Sequence, residues 1–219
     1  MNIDFIILAA GRGTRMGGDT PKVLASLAGK PMIQHLIDTV DSFPSSKTSI
    51  VVGYKSNEVE RDLVSQKKLS FVKQKNQLGT AHAVKQALPN IRKNSVAVIL
   101  YGDVPLVKKN TLNRLIKSAS TGKLSLLTFI KDDPKGYGRI IRGSRKNVQK
   151  ITEHKDASSA EKEIREVNSG ILAIKTSLLQ QFIPKVKNNN AAKEYYLTDL
   201  VEISNNHSVD VVATLCDPY

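Results

Sequence analysis

Apolar positions along the chain follow two periods. Runs in which almost every residue is apolar, bounded by glycine or polar turns, include Phe5-Ile6-Ile7-Leu8, Ile50-Val51-Val52 and the stretch Ser95 to Leu100. Such runs predict strands buried on both faces. Between the first two, Ile33, Leu36, Ile37 and Val40 fall at i, i+3, i+4 and i+7. That spacing predicts an amphipathic helix, with Pro31 in its first turn and Phe43-Pro44-Ser45-Ser46 ending it. Ser56 is expected to cap a helix carrying Val59, Leu63 and Val64, followed by a short strand over Leu69 to Val72. Gln77-Leu78-Gly79-Thr80 opens another helix, with Ala81, Val84, Ala87 and Leu88 along it and Pro89 beyond. Strands alternating with helices predict a parallel α/β sheet.

The texture changes after residue 123. Leu124 to Ile130, Gly138 to Arg142, Val148 to Glu153 and Val167 to Ile174 are strand-like, with few helices between them. Antiparallel additions and an inserted lobe are expected there. Helices are expected over 176–183 and 195–204, and a last strand over 209–214.

Composition narrows the class. A chain of 219 residues suits one large domain, or one with a small appendage, and 40% hydrophobic residues can fill a core. No apolar run approaches the length of a membrane span, and the N-terminus lacks the pattern of a signal peptide. A single cysteine, Cys216, excludes an internal disulfide framework and points to a reducing, cytoplasmic setting. The net charge of +13 invites a nucleic-acid reading. However, the lysines from Lys47 to Lys193 are spread among acids, with no arginine-rich tail and no aromatic RNA-binding motif. No nucleic-acid partner is expected; a solvated basic surface that also attracts anionic nucleotides accounts for the charge.

Candidate chemistry concentrates in Ile6 to Lys22, IILAAGRGTRMGGDTPK. Gly11, Gly13, Gly17 and Gly18 make a loop of little bulk, where backbone N–H groups can approach a ligand. Arg12, Arg15 and Lys22 add positive charge, so the loop suits a polyphosphate. It fits neither the Walker A pattern nor the dinucleotide fingerprint, because no Lys-Ser/Thr follows the glycines and Pro21 interrupts any helix. On spacing alone an ordinary strand–helix connection stays open. Asp103, after the strongest strand, would lie on the same sheet edge as Gly11, where such folds bind ligands. It could equally be a helix cap. Gln74 and Gln77 could be a solvated loop, Glu153 a surface ion-pair partner and Asn168 a turn residue. The four histidines lack metal-ligand spacing.

Several motifs occur in one order: LAAGRGTRMGGDTPKVL, QLGTAHAV, LYGDVPL, GYGRI, ITEHKDA, EVNSGI and NNNAAKEYYLTDL. Together they resemble the pyrophosphorylase domain of the bacterial N-acetylglucosamine-1-phosphate uridylyltransferases, within the sugar nucleotidyltransferases. The resemblance implies a Rossmann-like α/β fold: a mostly parallel central sheet flanked by helices, with a smaller antiparallel sugar-binding lobe. It implies Mg²⁺ as cofactor, with UTP and N-acetylglucosamine 1-phosphate as substrates and no membrane partner. Carried over position by position, Leu8, Ala9, Ala10, Gly11 and Gly13, with Gln74, Gln77, Gly79 and Thr80, would hold the nucleotide. Arg15 and Lys22 would act on the UTP phosphates, and Asp103 would be both catalytic and the metal ligand. Tyr101, Gly102, Gly138, Glu153, Asn168, Tyr196 and Thr198 would hold the amino sugar.

Two departures accompany the resemblance. The family's second metal ligand, an asparagine, would fall shortly after Asp217-Pro218-Tyr219, and no C-terminal β-helix acetyltransferase domain follows. The expectation is therefore one nucleotidyltransferase domain over 1–219, either a fragment or a shortened protein, monomeric or weakly oligomeric. A related enzyme for another sugar 1-phosphate, or a nucleotide-binding protein without turnover, are the alternatives. The absence of Ser/His/Asp or Cys/His constellations agrees with phosphoryl chemistry. A phosphate nucleophile is already ionised and needs positioning more than a base.

Overall fold

The computed structural model describes residues 1–11 and 20–216. Gly13 and Arg15 lie outside the described residues, as do Arg12, Gly17, Gly18 and residues 217–219.

Among the described residues, nine strands form one twisted sheet. Its parallel part contains β1 (Ile3–Ala9), β4 (Ser46–Val52), β5 (Leu69–Lys73) and β6 (Val96–Tyr101). A hairpin, β2 (Ser26–Leu27) and β3 (Lys30–Pro31), stands apart as a second sheet. Helices α1 (Met32–Asp41), α2 (Ser56–Arg61) and α3 (Thr80–Ala87) fill the connections, and α4 (Lys109–Ser120) leads to β7 (Leu124–Ile130). A second hairpin follows, β8 (Arg139–Arg142) and β9 (Val148–Thr152), then the short α5 (Ser159–Lys162) and β10 (Glu166–Lys175). Helices α6 (Thr176–Phe182) and α7 (Leu200–Asn206) and strand β11 (Val211–Leu215) end the described chain. The order across the sheet is β11-β7-β10-β6-β1-β4-β5, with β8 attached to β10 and β9 to β8.

Alternation along the strands divides the core in two. Ile6, Leu8, Ala97, Ile99, Leu172 and Ile174 join one cluster, with α3, α6 and α7 residues such as Val84, Phe182 and Leu200. Phe5, Ile7, Val98, Leu100, Ile171 and Ala173 join the other, with α1 and α4 residues such as Leu36 and Leu115. Successive side chains point to opposite faces, so a sheet covered on both sides needs apolar residues at every position. All of β1 is buried for this reason. Asp4 is the polar exception, 1% exposed, and its carboxylate is met by the Arg92 guanidinium at 3.2 Å and the Ser95 hydroxyl.

Several sequence expectations shift. Pro31 precedes α1 as its cap residue and closes the β2–β3 hairpin, because its φ of −55° with ψ of 141° is extended. Ser56 does not cap α2: it is the first helical residue, and Lys55 before it is left-handed at φ 48°. Leu63 and Val64 fall after that helix, and Val64 is 75% exposed. α4 has no counterpart among the expected elements, although Leu112, Leu115, Ile116 and Ala119 are buried at helical spacing. In the expected helix over 195–204, Tyr195 and Tyr196 are not helical. A 3-10 turn at Leu197–Asp199 leads into α7 instead. The expected antiparallel additions are present and join the central sheet. β10 enters the central sheet between β6 and β7, and only the β8–β9 hairpin projects from it.

Candidate active site

β1 and β6 are parallel neighbours, but the chain leaves β1 toward β4 and β5 on one side and returns to β6 on the other. Such a change of direction opens a crevice at the carboxyl ends of the strands. A cavity of about 460 Å³ lies there. Leu8, Ala9, Ala10 and Gly11 line it from the end of β1, and Tyr101 and Asp103 from the end of β6. Gln74, Gln77, Gly79 and Thr80 close it from the β5–α3 connection, and Lys22 enters from the segment before β2.

Backbone packing explains the small residues. Gly102 donates to the Leu8 carbonyl at 2.9 Å, and a Cβ there would meet Val23 at 2.8 Å. Gly79 has φ +113°, and a Cβ would lie 2.6 Å from the Tyr195 carbonyl oxygen. Main-chain bonds seal that approach: Tyr195 donates to Leu78 at 2.8 Å and Ala81 donates to Tyr195 at 2.9 Å. Only glycine combines this backbone with this proximity.

Polar groups on the wall are held by their neighbours. Gln77 donates its side-chain amide to the Ala10 carbonyl at 2.8 Å. Gln74, 4% exposed, donates to the Gly79 carbonyl at 3.2 Å and lies 2.9 Å from His82 Nδ1. Burial lowers the His82 pKa from the usual histidine value, and nearby Lys85 adds to this, while the Asn76 main-chain carbonyl works the other way. Burial pushes the Tyr101 phenol far up, against a hydrogen bond with Thr80.

Lys22 stands in a 3-10 turn, Lys22–Leu24, directly after Pro21. Its ammonium reaches the Asp103 carboxylate at 2.6 Å, with the two side chains 37% and 33% exposed. Among the described residues, no group of three His, Cys, Asp or Glu side chains could enclose a metal ion. A single hard carboxylate lining an open cavity suits a divalent cation that keeps water and takes its other oxygens from a ligand bound there. Asp103 fits a divalent metal on those terms.

Beyond Tyr101 a second group gathers. Thr198 donates to Glu153 at 3.0 Å, and Glu153 lies against Gly138, where a Cβ would be 3.4 Å from its carboxylate. Asn168 donates its backbone N–H to Gly138 at 2.9 Å, and its side-chain oxygen accepts from Gly170 at 3.1 Å. The Tyr101 ring lies over Gly170, where a Cβ would meet it at 2.8 Å and φ is +87°. Burial raises the Glu153 pKa, and Asp156 and Glu194 add to the rise. Burial, then Asp156, Glu153 and Glu194, carry the Tyr196 phenol up to about 12. Asp199 is raised to about 6, chiefly by burial and then by Glu202. The two groups touch where the Thr80 hydroxyl accepts from Leu197 N–H at 2.9 Å.

Every described residue expected at the site thus falls in one of two adjoining groups. Gly102, Gly138, Glu153, Asn168, Tyr196 and Thr198 are not among the residues that line the 460 Å³ cavity. Val23, Ala83 and Glu194 line the cavity without having been expected. Glu194 belongs to the EYYLTDL motif, but nothing in a single sequence separates it from a solvated acid. Ala83 was not among the positions read along that helix.

The chain matches the family of MobA-like NTP transferase domains over residues 5–167. It is 44% identical over 211 residues to the bifunctional protein GlmU of Alcanivorax borkumensis, covering 96% of this chain and 46% of that protein. With the protein of the same name from Pseudomonas syringae pv. syringae, identity is 47% over 214 residues, 98% of this chain and 46% of the relative. The chain therefore spans about half the length of the curated relatives it matches. A UDP-glucose pyrophosphorylase complexed with UDP-glucose superposes with a TM-score of 0.78 at 17% identity, over 98% of this chain and 90% of that one. A putative glucose-1-phosphate thymidylyltransferase from Bacillus anthracis gives 0.76 at 18%, over 99% and 88%. At such identity the likeness is one of fold.

Proposed function

The chain belongs to the family of MobA-like NTP transferase domains, and on that premise we propose that it transfers UMP from UTP to N-acetylglucosamine 1-phosphate. UDP-N-acetylglucosamine and pyrophosphate would be the products. The observation that carries the reading is the 2.6 Å Lys22–Asp103 pair at the mouth of a cavity walled by Gln74 and Gln77. A cation, a metal-binding carboxylate and two carboxamides for a base edge thus share one crevice. The high identity to the GlmU proteins and the EYYLTDL segment support the amino sugar as acceptor. We read 1–219 as one nucleotidyltransferase domain acting in the cytoplasm on small molecules.

Each residue has a task in this reading. The main chain of Leu8 to Gly11 and the Gln74 and Gln77 side chains bind the base, while Gly79 lets the wall close on it. Thr198 orients Glu153 toward the sugar, and Tyr101 packs against Gly170 between the two halves. A nucleophilic phosphate oxygen of the sugar phosphate attacks the α-phosphorus of UTP, and the bond to the pyrophosphate oxygen breaks. No side chain need remove a proton from an ionised phosphate. Nucleotidyltransferases of this kind use a divalent metal; Mg²⁺ on Asp103 would supply charge neutralisation to phosphates that otherwise repel. Lys22 offsets the negative charge that grows on the leaving group. Arg15, outside the described residues, is assigned to the same phosphates on its motif alone.

Pyrophosphate release from UTP and N-acetylglucosamine 1-phosphate tests the proposal. Release that requires both substrates and a divalent metal is expected. Nucleotide binding without release would replace the enzyme by a binding protein.

A further inference from the structure

Gln74 stands between the cavity and a ring behind it. Its side-chain nitrogen lies 3.2 Å from the Gly79 carbonyl and 2.9 Å from His82 Nδ1. A carboxamide nitrogen carries two hydrogens, one for each acceptor, so both are spent away from the cavity. The oxygen is the atom left to face it. This arrangement requires a lone pair on His82 Nδ1. The proton of a neutral ring then sits on Nε2, which is 3.2 Å from the Gln86 carboxamide. Both carboxamide nitrogens face the ring, so one amide must turn by a half-turn; Gln86, less buried than Gln74, gives up its 3.3 Å bond to the His82 main-chain carbonyl and offers its oxygen to Nε2–H.

We propose that His82 is a positioning residue that holds the Gln74 oxygen toward the cavity and thereby selects the nucleobase. This rests on the nucleotide reading above and deepens it. Uracil presents an N–H between two carbonyls, which that oxygen accepts. Cytosine presents a bare nitrogen at the same position, which the oxygen repels. A site whose buried polar group is left unpaired by the wrong ligand rejects it strongly.

The ring must stay neutral to do this, and burial and Lys85 favour that over the Asn76 main-chain carbonyl, which favours the charged ring. His82 opens on its other side into a second cavity of about 400 Å³, lined by Lys85 of α3, by Lys187 after α6 and by Tyr195, with no acid on its wall. Solvent protons reach the ring from there, and the two lysines oppose a third positive charge. A doubly protonated ring would turn an N–H toward the Gln74 amide. Gln74 would then have to rotate, bringing its oxygen against the Gly79 carbonyl and its NH₂ into the cavity. Acid should therefore erode the preference for uracil.

Calorimetric binding of UTP and of CTP to the full chain, at about pH 8 and about pH 5.5, tests this through their affinity ratio. The triphosphates are common to both ligands, so the ratio reports the base. The wild type should favour UTP at the higher pH, and the preference should fall about tenfold at the lower, the scale of one hydrogen bond. His82→Phe, which offers no acceptor, should lose about tenfold of the preference at both pH values. His82→Asn, whose amide oxygen can stand near the Nδ1 position, should keep the preference at both. A His82→Phe protein that retains the wild-type ratio and its pH dependence overturns the proposal, as does one that loses both nucleotides equally. No preference for UTP in the wild type at the higher pH would instead bring down the functional reading, and this inference with it.

Discussion

Replacing Lys22 by alanine should separate its part in the fold from its part in the chemistry. Among the described residues it makes one ion pair, 2.6 Å from Asp103, between side chains 37% and 33% exposed. Pairs this open to water contribute about 0–1 kcal/mol. For a chain of this size that corresponds to a fall in Tm of no more than about 4 °C. The chemical term is larger. A charge preorganised for the leaving group is worth about 10² to 10³ in rate, or about 2.7–4 kcal/mol. We predict that Lys22→Ala lowers kcat/KM by about 10² to 10³, with kcat itself reduced, because the cation binds the transition state better than bound UTP. Lys22→Arg should be impaired too, since a planar fork does not replace a compact ammonium held by the turn after Pro21. The ion pair adds a second readout. Lysine and metal compete for one carboxylate, so Mn²⁺ should bind nucleotide-free Lys22→Ala more tightly than the wild type. Steady-state pyrophosphate release, thermal denaturation and Mn²⁺ paramagnetic resonance measure the three quantities. A normal kcat at saturating UTP would refute the catalytic role. A large fall in Tm, with activity lost in proportion, would make the pair structural instead.

Asp103→Asn should abolish metal-dependent turnover with Tm changed by no more than about 4 °C, and full turnover at saturating metal would exclude the assignment. Gly79→Ala places a Cβ 2.6 Å from the Tyr195 oxygen at φ +113°, so overpacking alone should cost about 1–3 kcal/mol in urea denaturation; an unchanged midpoint would contradict the packing. Asp199 titrates near 6 in the folded chain, above its unfolded value, so the stability it carries is full below about pH 4 and is lost as pH rises through about 6. Asp199→Asn should flatten that slope and stabilise the chain at neutral pH, as measured by denaturation at several pH values. UTP should raise Tm more than CTP, ATP or GTP, and equal shifts would dismiss the roles of Gln74 and Gln77.

The parallel half of the sheet was legible because burial on both faces leaves no alternation to misread, and β1 and β6 follow from their runs alone. α4 was equally legible in its spacing, yet its polar start, Lys108-Lys109-Asn110, carries no side-chain cap to announce it. The place of β10 could not be read, since a strand's neighbours depend on the whole topology. At the site, Gly11 and Asp103 were expected on one sheet edge, and both line the cavity, but the contacts between side chains were not expected. That Lys22 rests on Asp103, that Tyr195 closes on Gly79 across 116 positions, and that His82 stands behind Gln74 are long-range facts. No local period encodes them.

The position of β10 carries a consequence for how the chain is made. The ribosome releases β6 and β7 long before residues 166–175, yet these two strands are not neighbours: β10 separates them. Until β10 emerges, β6 keeps an open edge of unpaired N–H and C=O groups, and β7 has no partner in the rest of the sheet. Such an edge is a template for other chains. A nascent chain halted before Glu166 should be trapped by chaperones or aggregate, whereas one halted after Lys175 has its central strands joined. β10 thus acts as the keystone of a sheet begun at β1.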